Sequence, residues 1–219
     1  MNSKKIINKY FILFFFGYFI SCNTFNDNLK IEPSQVVDFE TIFECDTFIL
    51  KKDNNSFNLF IKDSKLPNGL SREFASSCAS LKLYEIINES YPQVDSDTKI
   101  SIKYSDTNSL YSYKLQDLSD VLYGLDKLTN VIDRFKTNKI NENDFMSSVL
   151  NKALIDPNID LKKITDFSLL GFKIKENQFN KQTINYLIYT MPLEKQIWIN
   201  INRHTHKIVS IYQDGENIP

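Results

Sequence analysis

"QTINYLIYTMPLEKQIWININRHTHKIVSIYQ", residues 182–213, decides the fold. Three apolar-rich runs, Gln182 to Met191, Lys195 to Asn202 and Lys207 to Gln213, are separated by short polar breaks, and a fourth, Ser168 to Lys175, precedes them. Consecutive strands joined by tight connections pair side by side in opposite directions. The stretch therefore predicts a four-strand antiparallel meander. In the run Lys195 to Asn202, Ile197, Ile199 and Ile201 alternate with Gln196, Trp198, Asn200 and Asn202, so one face is apolar and the other mixed.

Working towards the amino terminus, Leu118, Val121, Leu122, Leu125, Leu128, Ile132 and Phe135 recur at three- and four-residue steps behind an Asp117 cap, predicting a helix. Phe145, Met146, Val149, Leu150 and Ala153 predict a second helix over about Glu142 to Leu154, which Pro157 stops. "KISIKY", Lys99 to Tyr104, alternates as a half-buried strand does, with Tyr111 to Leu115 as its neighbour. Ser71 caps a further predicted helix whose stripe is Ala75, Cys78, Ala79, Leu83, Ile86 and Ile87, ending by Pro92. Thr47 to Lys52 and Ser56 to Lys62 flank Asp53-Asn54-Asn55 and read as a hairpin, because Asn tolerates the left-handed conformation of tight turns.

Lys4, Lys5 and Lys9 open the chain, and Tyr10 to Ile20 form an apolar run of about eleven residues, the length of a secretory leader. Polar Ser21, Cys22, Asn23 and Thr24 end it well short of the roughly twenty residues that span a bilayer. Phe19-Ile20-Ser21-Cys22 resembles the lipobox of bacterial lipoproteins, with Phe19 where leucine is usual. The resemblance covers residues 1–22. It implies a signal peptide over residues 1–21, cleavage after Ser21, and lipid attachment at Cys22 as a diacylglyceryl group of palmitate-like chains, with the new amino terminus open to acylation. At about 0.8 kcal/mol per buried methylene, one chain binds a membrane marginally and two or three hold it firmly. The expected location is the bacterial cell envelope, on the periplasmic or cell-surface side of a membrane. Residues 22–38 read as a flexible tether, residues 39–116 as an N-terminal α/β portion, and residues 117–219 as helices plus the four-stranded sheet.

The order of elements from about Asp117 to Gln213, with a final hairpin "WININRHTHKIVSIY", resembles the cystatin-like and nuclear-transport-factor-like folds. The resemblance implies an α+β class with helices packed on a curved antiparallel sheet. Such folds host enzymes, binding modules and structural or inhibitory domains alike, so it implies no activity.

Removing the leader takes three lysines from a chain of net charge −1 and leaves −4, without the basic stripe that nucleic acid requires. Gly17, Gly69, Gly124, Gly171 and Gly215 stand singly, which excludes a glycine-rich phosphate loop, and no Gly-x-Ser-x-Gly elbow is present. No cofactor is implied. Cys45 and Cys78 could form a disulfide closing a loop of about 33 residues, contributing about 3 to 4 kcal/mol in the chain-entropy model. Cys78 on an apolar helical stripe packs equally well as a free thiol. Both readings stand.

His204 and His206 would share one side of a strand, but a metal needs further ligands, and "NRHTHK" reads better as the turn between the last two strands. Trp198 and Asn200, an aromatic among amides, form a candidate contact patch for glycan, peptide or protein; the alternative is a Trp that covers its own sheet or the Asp117 helix. The expectation is a membrane-anchored, non-enzymatic binding module with an envelope protein or glycan as partner. The alternatives are a pocket-type enzyme using an Asp or Tyr, and a structural or inhibitory module.

Overall fold

The computed structural model describes residues 47–53, 55–62, 66, 70–137, 139, 141–146, 155–176 and 182–213. They fall into two compact units, one up to Leu122 and one from Tyr123. The fold is α+β, with two four-stranded sheets among the described residues, the C-terminal one antiparallel.

In the first unit β1 (Thr47–Asp53) and β2 (Ser56–Lys62) form the expected hairpin, closed by the Asp53 and Ser56 pair. Helix α1 (Arg72–Ser90) begins at Ser71, whose hydroxyl accepts the Phe74 N–H at 3.3 Å, and ends two residues before Pro92. β3 (Lys99–Tyr104) pairs β2 in parallel, and β4 (Leu110–Lys114) closes the sheet antiparallel to β3. The sheet is thus mixed, which the sequence does not announce. One face carries Phe57, Leu59, Ile61, Ile100, Ile102 and Tyr104, all buried. Helix α1 packs on that face: Ser76 Oγ lies 3.0 Å from the Tyr104 hydroxyl, and the Tyr113 hydroxyl donates to the Glu73 carbonyl at 3.4 Å.

Helix α2 (Leu115–Lys136) starts two residues before the Asp117 cap expected from sequence, and Asp117 falls in its first turn. The reason lies in the preceding loop. Leu115 N–H donates to the Thr98 carbonyl at 2.9 Å and Gln116 N–H to the Ser96 carbonyl at 3.1 Å, so backbone acceptors satisfy amides that a side chain would otherwise cap.

The second unit holds the rest of α2 and a meander in the order β5 (Asp166–Glu176), β6 (Gln182–Met191), β7 (Lys195–Asn202) and β8 (Ile208–Gln213). The register shifts between Leu169 and Gly171, where Leu170 of β5 is the extra residue, and between Asn200 and Ile201, opposite which Val209 of β8 is the extra residue. Ile184, Tyr186, Ile188, Ile197, Ile199 and Ile201 are buried on one face, as the alternation of β7 requires.

The helix expected over Glu142 to Leu154 is corrected where its residues are described. Glu142–Asp144 form a single 3-10 turn, and Phe145 leaves it extended to make a parallel bridge with Ile208; residues 147–154 lie outside the described set. Tertiary partners override the helical period. Asp144 accepts two hydrogen bonds from Arg134, at 3.0 and 2.7 Å, the Phe145 ring sits 6.3 Å from that of Phe135, and Met146 N–H donates to the Ile208 carbonyl at 3.1 Å. Ile155 bridges Ile211 further along, so both contacts occupy the outer edge of β8, which would otherwise be open to pairing.

Candidate functional site on the C-terminal sheet

The face of the β5–β8 sheet opposite the isoleucines carries Trp198. Trp198 lies opposite Leu187 of β6 and Tyr212 of β8, and its ring stacks on Tyr212 with centroids 6.4 Å apart and planes at 21°. Both rings are half-buried. The stacking partner is a β8 tyrosine; of the β6 tyrosines, Tyr186 is buried on the opposite face and Tyr189 stands opposite Gln196.

The next row along the strands is polar. Asn185, Asn200 and Ser210 are register partners across three strands, and the Asn200 amide nitrogen donates to Ser210 Oγ at 2.8 Å. The side-chain oxygens of Asn185 and Asn200 are both buried with no hydrogen-bond partner among the described residues, and Asn185 is 4% exposed. Exchanging oxygen and nitrogen on Asn200 would leave its nitrogen unpaired instead, so either assignment leaves one amide atom unused. A buried polar atom without a partner costs about 1 to 3 kcal/mol. Two such atoms on adjacent strands are a local cost that a ligand donating O–H or N–H groups would relieve.

Asn202 does different work. Its side-chain oxygen accepts from His204 N–H at 3.1 Å, Thr205 N–H at 2.9 Å and the Thr205 hydroxyl at 3.0 Å, fixing the turn before β8. His204 and His206 belong to that connection rather than to a strand. His206 has φ 52 and packs its ring 4.4 Å from that of Tyr123. Among the described residues no group of three His, Cys, Asp or Glu could hold a metal ion.

A cleft of about 130 Å³ in the first unit is walled by Tyr84 and Tyr91 and edged by Asn88, Val94, Gln116 and Ser119. It is small beside the roughly 300 to 1,000 Å³ of ordinary ligand pockets, and these side chains are neutral. Asp126 on α2 has a carboxyl raised above its ordinary value by desolvation, yet the residue is exposed and stands in no described cleft.

Comparison with known protein families, curated proteins and solved structures finds no match to this chain. Geometry alone therefore carries the site.

Cys22 and Cys45 lie outside the described residues, and with Cys45 so does the bridge to Cys78. Burial pushes the Cys78 thiol up to about 12, against the opposing hydrogen bond from Ser77. A thiol held protonated is a poor nucleophile. Alkylation of Cys78 by iodoacetamide at pH 8, read by peptide mass, is expected to run at least about tenfold slower in the native chain than in denaturant. Equal rates would show that the folded environment does not hold the proton.

Proposed function

We propose that the chain is a lipid-anchored envelope lipoprotein, tied to a membrane through Cys22, whose C-terminal sheet is a non-enzymatic binding face for a glycan of the envelope. The observation that carries the binding reading is the Trp198 and Tyr212 stack standing beside the two unpaired amide oxygens of Asn185 and Asn200. Aromatic faces accept the C–H surfaces of sugar rings, and amides pair with vicinal hydroxyls. The anchor reading rests on the Phe19-Ile20-Ser21-Cys22 signature, whose short apolar run is followed at once by a cysteine. Among the described residues no helix is long and apolar enough to cross a membrane.

The test has two readouts on the membrane-purified full chain. Intact mass of wild type against Cys22→Ala is expected to show acyl mass lost and membrane retention lost in the variant. Sedimentation with isolated cell-wall glycan is expected to weaken about tenfold or more for Trp198→Ala, and also for Asn200→Ala. Unchanged sedimentation of both variants would remove the binding face, and an unacylated wild-type chain would remove the anchor.

A further inference from the structure

The β1–β4 sheet has a second face, opposite α1, and its register places lysines across all four strands. Asp53, Ser56, Lys99 and Lys114 form one row, and Lys51, Asn58, Ser101 and Ser112 the next. The third row is Ile49, Phe60, Lys103 and Leu110, and Lys62 stands beyond it on β2. Lys51, Lys62, Lys99, Lys103 and Lys114 are all exposed. Among the described strand residues the face carries one carboxylate, Asp53, which accepts the Asn58 amide at 2.7 Å, and Asp97 past the strand end binds Lys114 at 3.1 Å. Strands lie about 4.8 Å apart, so five ammonium groups are spread over a patch roughly 20 Å on a side. In a chain whose mature form carries −4, this concentration of one sign on one sheet face is an asymmetry in need of a partner.

The apolar side chains between the lysines narrow the partner. Leu110 is 61% exposed, Phe60 and Ile49 are half-buried, and Lys51 lies over the Phe60 ring at 5.5 Å. Lysines on long apolar stems, interleaved with an exposed Leu and a half-buried Phe and Ile, match a surface that is anionic at its headgroups and apolar just beneath. A purely polar polyanion would use the charges and leave Leu110 in water.

We infer that the outer face of the β1–β4 sheet docks flat on an anionic phospholipid surface. The inference rests on the lipid-anchor reading for its local concentration: 24 residues separate Cys22 from β1, a reach of at most about 90 Å at full extension. The anchor then holds the chain at the membrane and the lysine face sets which side of the first unit meets it.

The experiment is lysine acetylation footprinting of the full chain on vesicles of phosphatidylcholine alone and of phosphatidylcholine containing phosphatidylglycerol. Acetylation of Lys51, Lys99 and Lys103 is expected to slow about fivefold on the anionic vesicles alone, while Lys127 on α2 and Lys162 keep their rates. The protection should vanish near 0.5 M salt, where screening shrinks to roughly 4 Å. Replacing Lys51, Lys99 and Lys103 together by Gln should abolish the protection of Lys114. Equal rates on both vesicle types overturn the docking face, as does protection by a soluble anionic polysaccharide and not by vesicles. Intact mass of the same sample separates the two readings: acylated protein without protection leaves the anchor standing and removes the face, and protection without acylation does the reverse.

Discussion

Gly124→Val is expected to destabilise the C-terminal unit by about 3 kcal/mol, one of the larger effects available to a single substitution. A Cβ built on Gly124 overlaps the Tyr186 hydroxyl and lies 3.3 Å from the ring carbon that bears it. Tyr186 is fully buried between its register partners Phe172 and Ile199, so the ring has no open direction in which to swing. Glycine inside a helix costs about 1 kcal/mol relative to alanine. Here that cost permits helix and sheet to approach closely. Gly124→Ala recovers the helical term while meeting the same hydroxyl, so its loss should be smaller than that of valine. Combining Gly124→Ala with Tyr186→Phe should return part of the loss, a coupling that independent sites do not show. Denaturant unfolding with hydrogen exchange read at β6 amides checks the sequence of effects. A Gly124→Val chain as stable as wild type would mean that Tyr186 moves freely.

Phe57→Ala should cost the N-terminal unit about 3 to 5 kcal/mol. Phe57 is 1% exposed on the face that α1 covers, and it lies opposite Ile100 of β3 and Lys52 of β1. Its ring centroid is 6.0 Å from that of Tyr91, the residue that ends α1, and the Lys52 ammonium stands 5.8 Å from Phe57 and 4.2 Å from Tyr91. One side chain thus ties two strand pairings and the helix end together. The cavity left by alanine would also free the Lys52 stem. Hydrogen exchange at β2 and β3 amides should accelerate accordingly, whereas Lys103→Ala on the exposed face should change it little. A loss below about 1 kcal/mol for Phe57→Ala would mean that the sheet collapses around the gap.

Much of the architecture could be read from the residues because burial here follows the two simple periods. The alternation of Ile197, Ile199 and Ile201 foretold the buried face of β7, and "KISIKY" foretold β3. Alternation is the same for either strand direction, so the one signal for the parallel pairing of β2 with β3 was the helix between them, the order of a parallel β–α–β crossover. The α1 stripe was read too narrowly. Ser76, Ser77 and Ser80 are also buried, because Ser77 and Ser80 donate back to the Phe74 and Ser77 carbonyls, at 2.8 and 2.7 Å, while Ser76 meets Tyr104. Hydroxyls that satisfy themselves locally enter a core without leaving an apolar trace in the sequence. Of the candidate site, Trp198 and Asn200 were named by alternation, whereas Asn185 and Tyr212 needed the register of three strands. A plain count outward from Ile201 and Ile208 pairs Trp198 with Ile211, and the register shift between Asn200 and Ile201 moves its partner to Tyr212.

The parallel pairing of β2 with β3 also sets an order of assembly. Every pairing among β5–β8 joins strands that follow one another in the chain, so that sheet can zip up from local contacts. Bringing Ser56 beside Lys99 requires a long segment, α1 included, to be closed first, and the entropy of that closure is spent before any contact returns it. A lone β1–β2 hairpin is marginal until β3 and α1 arrive. In a refolding chain, the half nearer the amino terminus is the half that closes last.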